Sequence, residues 1–147
     1  LMRALHAAGF ASQPTSEHKR DGLRMRSAFM TAVVRCPPPR NKPLASELGN
    51  CSRYLDREFT LLSPVRVVLA LGHIAFKGYL DHLRRRRTYV MPLTFRHGET
   101  YMFPAGLPVL VGSYHPSRQN TQTGRLTNRM MDQAVLAVKR AIGETSG

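Results

Sequence analysis

Acidic residues are scarce in this chain: 9 Asp and Glu stand against 22 Lys and Arg in 147 residues, a formal net charge of +13. A globular chain so short of negative charge is expected to meet a polyanion, and nucleic acid is the commonest one. A basic structural or ribosome-associated protein fits the same charge. Cysteine is nearly absent as well, with two in the chain. That excludes a disulfide framework and leaves thiols or metal ligands. No apolar run approaches the roughly 18–20 residues of a membrane-spanning helix, so no membrane partner is expected. The opening "LMRALHAAGF" is too short and too polar for a secretory signal, which predicts a cytoplasmic, nucleoid-associated location. No internal repeat occurs. The first residue is Leu1 rather than methionine, which points to a missing upstream part or an unusual start codon.

What remains reads as one domain, residues 1–147, long enough to bury a core. "LMRALHAAG" has the spacing of the last turns of a helix, stopped at Gly9, and residues 10–27 read as a polar surface loop. "AFMTAVVRC" (28–36) is a continuous apolar, β-branched run, which predicts a strand buried on both faces. "PPPRNKP" (37–43) can be neither helix nor sheet interior and predicts a rigid loop at that strand's end. Helical spacing runs from Leu44 to Leu62, a second buried strand covers 65–72, and a helix follows over 73–87, ending in "RRRR". A short strand near 99–103 and a longer one at 108–114 come next. An amphipathic helix closes the chain, with Thr127 as N-cap and Gly143 as stop. Buried strands alternating with helices predict an α/β fold with a mainly parallel sheet. Ligands of such sheets sit at the C-terminal ends of the strands, where "PPPRNKP" and "YHPSRQN" both fall.

His115 directly follows the strand predicted at 108–114, and Pro116 fixes the turn after it. A histidine at that tip, backed by a polar loop on a basic protein, is a candidate functional residue. Asn41, between prolines, reads on pattern as a turn residue. Cys36 and Cys51 read on pattern as two buried free cysteines. The arginines at 84–87 read as a solvated helix end that suits the helix dipole, or as a phosphate-facing patch.

"SYHPSRQNTQTGRLT" resembles the second active-site motif of the family 5 uracil-DNA glycosylases, and "AVVRCPPPRNKP" and "VVLALGHIAFKGYL" resemble the middle of the same family, in the same order. The resemblance runs from Leu1 to the final helix. It implies a three-layer α/β/α sandwich and an enzyme that flips uracil out of DNA and hydrolyses its N-glycosidic bond. By motif, His115 would steady the charge that forms on the departing base, and Asn41 would contribute to catalysis. Pro116, Ser117, Arg118 and Gln119 would enter the minor groove, with Asn120 and Thr121 holding that loop or touching phosphate. Ala32 falls where related family 4 enzymes carry a uracil-reading asparagine, which implies a looser pocket, open to hypoxanthine or other deaminated bases.

Cys36 and Cys51 match the second ligand pair of the family's [4Fe–4S] cluster, which needs four thiolates. With two of the four in this chain, an absent or incomplete cluster is expected. The family's first cysteine pair, its first motif and the aspartate thought to position water lie upstream of the matched region. This chain is therefore expected to lack the N-terminal part of the family domain, including a central strand between 28–35 and 65–71. The rival reading is a truncated, inactive remnant that only binds DNA.

Overall fold

The computed structural model describes residues 1–35, 43–104 and 106–144. In chain order, α1 is Met2–Ala7, α2 Ala45–Leu61, β1 Val67–Leu71, α3 His73–Arg85, β2 Thr100–Tyr101, β3 Val109–Ser113, α4 Arg118–Gln122 and α5 Asn128–Glu144. The strands form one sheet in the order β1-β3-β2. β1 lies parallel to β3, with Val67 opposite Val109 and Leu71 opposite Ser113. β2 pairs with β3 in the antiparallel sense, Thr100 opposite Val111.

The sheet is thus mixed rather than mainly parallel. The link from β2 to β3, residues 102–108, is shorter than the dozen or so residues that a parallel crossover requires. The link from β1 to β3 contains α3 and satisfies that requirement.

Helices cover both faces. Phe76, Tyr79, Leu80 and Leu83 of α3 bury themselves with Ala70 of β1 and Leu110 of β3, and Phe59 of α2 packs behind them. On the other face, Met131 and Val135 of α5 join Leu5 of α1 and Leu126, with Leu69 and Leu71 of β1 against them. Leu69 and Ala70 thus point to opposite layers, as the pleat requires. This is the expected α/β/α layering. Every residue of β3 is buried, whereas β1 buries only Ala70. The reason is position: β3 is the central strand, and β1 has a strand on one side only among the described residues.

The strand predicted at 28–36 does not form: residues 28–35 are irregular, and Cys36 lies outside the described residues. A doubly buried strand needs a hydrogen-bonded neighbour, and among the described residues this segment has no strand beside it. It is tied instead to helices. Thr31 Oγ1 donates to Glu58 of α2 at 2.6 Å, and Arg35 pairs with the same carboxylate. Val33 crosses α3 at Gly78, where an added Cβ would come within 2.7 Å of both valine methyls. Phe29 and Met30 are left 58% and 53% exposed.

Two termini also differ from expectation. Gly143 does not stop α5, which continues to Glu144. The loop after His115 is a short helix, α4, from Arg118 to Gln122. Thr127 does cap α5, accepting from the Met130 N–H at 3.2 Å.

Candidate functional site

The site forms where β3 leaves the sheet. The β1–β3 ladder runs one residue past the strands, with the Gly72 N–H donating to the Ser113 carbonyl at 2.7 Å. Gly72 has φ +91°, and a Cβ there would lie 3.1 Å from His115 Cβ. Glycine is needed on both counts: the backbone is left-handed and the histidine sits over it. One residue later the Tyr114 N–H donates to His97 Nδ1 at 3.0 Å. The His115 carbonyl accepts from the Ser117 N–H at 2.8 Å and from Asn120 Nδ2 at 2.8 Å. Backbone groups of three successive residues therefore have fixed partners, and His115 itself remains exposed.

Behind His115, Ser117 caps α4 by accepting from the Asn120 N–H at 3.2 Å. Thr121 Oγ1 donates back to the Ser117 and Arg118 carbonyls. Pro116 and Ser117 are half-buried, while Arg118, Gln119 and Thr121 face solvent. Asn120 and Thr121 thus hold the turn together, and Arg118 and Gln119 are presented outward.

His115 and Asn120 line an open cleft of about 730 Å³ together with His73, His97, Tyr114 and Arg125. That volume falls within the usual range of small-ligand sites, about 300–1,000 Å³. Two side chains pack on Tyr114. The His97 ring stacks on it at 4.8 Å and 12°, and the Arg125 guanidinium lies 4.9 Å from its centroid. Burial pushes His97 below its ordinary value, and its acceptor role requires the neutral ring with the proton on Nε2. None of the described residues lining the cleft is Asp or Glu.

Of the residues singled out in the sequence, the structure brings His115, Pro116, Ser117, Arg118, Gln119, Asn120 and Thr121 into one turn. Asn41 and Cys36 lie outside the described residues. Cys51 is a half-buried free thiol on α2, and among the described residues no group of three or more His, Cys, Asp or Glu could hold a metal ion. His97 and Arg125 were not legible as site residues. Their only sequence signals are the glycine after His97 in "RHGE" and the place of Arg125 inside the "TGRLT" stretch.

The fold and the cleft define a layered α/β protein presenting a histidine and a basic, outward-facing turn at the end of its central strand. A family profile described as the Uracil DNA glycosylase superfamily matches residues 1–139. This chain belongs to that superfamily. It is 46% identical over 143 residues to the Type-5 uracil-DNA glycosylase of Thermus thermophilus, covering 97% of this chain and 63% of that protein. Identity to the Type-5 uracil-DNA glycosylase of Pyrobaculum aerophilum is 39% over 127 residues, covering 86% and 53%. A Type-4 uracil-DNA glycosylase of the same organism is 38% identical over 80 residues, covering 53% and 40%. The chain thus spans between 53% and 63% of the length of these two type-5 relatives.

Proposed function

We propose that this chain is a uracil-DNA glycosylase of base-excision repair, which flips uracil out of DNA and hydrolyses its N-glycosidic bond. The observation that carries the reading is His115, exposed at the lip of the cleft while its backbone is fixed on both sides. The names of the type-5 relatives favour a glycosylase over a remnant that only binds DNA.

In this reading the duplex lies across the mouth of the cleft, where Arg118 and Arg125 are exposed, and uracil is flipped into it, at a cost of a few kcal/mol of unstacking. His115 donates a hydrogen bond to the base as its glycosidic electrons move onto the ring. A donor already fixed in place stabilises that charge without reorganising. Asn41 is the second group assigned to the departing base. Pro116, Ser117, Arg118 and Gln119 enter the minor groove beside the flipped base, and Asn120 and Thr121 brace them. Ala32, exposed and without a polar group, reads nothing on the base. Hypoxanthine and other deaminated bases are therefore proposed as further substrates. A DNA substrate also favours a cytoplasmic, nucleoid-associated location.

A [4Fe–4S] cluster requires four thiolates, and the chain has two cysteines. The residues present do not fit a complete cluster, and no step is assigned to one. Iron and sulfide analysis after anaerobic purification is expected to find less than one cluster per chain. A full cluster would overturn the ligand assignment.

Excision from a uracil-containing duplex tests the function. With no carboxylate of the described residues lining the cleft, the 147-residue chain should excise slowly, because a positioned base or water-orienting group contributes about 10²–10⁴-fold. Fusion to the upstream segment of a type-5 relative should raise the rate, and His115→Ala in the fusion should remove most of the gain. A fusion that binds uracil DNA yet stays inactive, or an activity indifferent to His115→Ala, would sink the proposal.

A further inference from the structure

We propose that His97 is the positioning residue for His115, holding the end of β3 by accepting the Tyr114 N–H. The inference rests on the proposed role of His115 at the base and adds the group that keeps it aimed. The Tyr114 N–H is the first strand donor past the sheet, where no ladder partner remains among the described residues, and His97 Nδ1 takes it at 3.0 Å.

The turn that carries His97 is itself fastened to β3. The Gly98 N–H donates to the Gly112 carbonyl at 2.8 Å, and the Gly112 N–H donates to the Glu99 carbonyl at 3.0 Å. Gly98 has φ +77°, and a Cβ on Gly112 would stand 2.6 Å from the Arg96 carbonyl oxygen. Both glycines are required for this turn to reach the strand. The Tyr101 hydroxyl accepts from the Arg96 N–H at 3.0 Å and donates to the Thr94 carbonyl at 2.6 Å, which fixes the approach to the turn. Stacking of His97 on Tyr114 at 4.8 Å sets the ring plane, and the Arg125 guanidinium also lies over the Tyr114 ring. With Gly72 beneath it, His115 is then registered from two directions: by Gly72 on the β1 side and by His97 on the β2 side.

The arrangement works only with a neutral imidazole, because a protonated Nδ1 cannot accept. The charged or titratable groups around His97 are Arg96 and Glu99 of its own turn, His73 of α3, and Tyr114, His115 and Arg125 across the cleft. Most are basic, and burial already lowers the His97 value. The neutral form therefore persists at neutral pH and is lost on acidification.

Two variants separate the acceptor from the ring. His97→Asn places an amide oxygen at the position of Nδ1 and removes the ring. His97→Phe keeps a stacking ring and removes the acceptor. The readouts, on the full chain, are exchange protection of the Tyr114 amide, the Gly72 Hα to His115 Hβ cross-peak, and preference for a uracil-containing over an intact duplex in binding. His97→Asn should retain all three, with protection persisting to lower pH than in the parent. His97→Phe should lose amide protection and the cross-peak, and with them about tenfold in preference, the scale of one lost hydrogen bond. If His97→Phe keeps the protection and the cross-peak, or if His97→Asn loses them equally, the acceptor role is wrong. A parent chain with no preference for uracil overturns the proposed function instead, and the amide and cross-peak readouts still decide the positioning role.

Discussion

A methyl group at Gly112 would meet backbone, the Arg96 carbonyl at 2.6 Å, and backbone cannot swing aside as a side chain can. Gly112→Ala is expected to cost about 1–3 kcal/mol, the scale of an overpacked interior site, read as a lower denaturation midpoint at unchanged slope. The same variant should weaken protection of the Tyr114 amide, since the turn it displaces carries His97. Arg118 is the contrasting case. Its side chain is exposed, so Arg118→Ala should leave stability within about 0.5 kcal/mol. Binding to uracil-containing or abasic duplex should nonetheless drop more than binding to intact duplex. Equal losses on both would make Arg118 an ordinary phosphate contact.

At the scale of elements, α2 and α3 are joined through one carboxylate. Asp56 of α2 accepts from His82 Nδ1 at 2.6 Å and from Arg85 at 2.7 and 3.0 Å. Phe59 stacks on the His82 ring at 4.5 Å. Burial pushes His82 below its ordinary value, outweighing the opposing pull of Asp56, so at neutral pH the ring is neutral and donates from Nδ1. The bonds from Arg85, then His82, hold Asp56 below the usual carboxylate range.

Both values are depressed in the folded chain, so both contributions are complete at neutral pH and are lost on acidification. His82 loses its share below about pH 6.5, and Asp56 loses its share below about pH 3.9. Melting temperature followed from pH 8 down to pH 3 should fall in those two stages. His82→Leu should shrink the upper one; an unchanged profile would assign that stage to another group, such as His97. The same joint divides the arginine run. Arg84 pairs with Asp81 and Arg85 with Asp56, while Arg86 and Arg87 stay exposed. Arg86 and Arg87 follow the end of α3, about 20 Å from His73 at the cleft. Their loss should therefore leave the salt slope of DNA binding nearly unchanged, and loss of Arg85 should chiefly lower stability.

For the whole molecule, a net charge of +13 predicts DNA binding that falls steeply with salt and depends weakly on sequence. Each neutralised phosphate adds about −0.9 to the slope of log K against log salt on duplex DNA. A flat response between low and moderate salt would remove nucleic acid as the partner. The other global feature is apolar exposure. Phe29 and Met30 are more than half exposed, and among the described residues β1 has a neighbour on one side only. Open edges and exposed apolar segments template association. Phe29→Ser with Met30→Lys should reduce light scattering at high concentration without lowering the melting temperature. Undiminished scattering would place the sticky surface elsewhere.

Periodicity in the sequence determined most of the elements. The stripes of α2, α3 and α5 and the apolar runs of β1 and β3 encode local burial, and local burial is what residue spacing reports. The His-Pro turn was legible for the same reason, since its chemistry lies within a few neighbouring residues. The run at 28–36 misled because an apolar, β-branched pattern states a preference to be covered and cannot supply the strand that would pair with it. Thr31, Val33 and Arg35 found helices instead. His97 was invisible because its partner is 17 residues away, and His82 because its carboxylate is 26 away. Bonds across such distances leave no spacing in the chain. They exist only once the sheet brings β3 beside the 96–98 turn and α3 beside α2. Folding in three dimensions, rather than the order of residues, decided that His115 stands exposed at the cleft while His97 and His82 are held as struts.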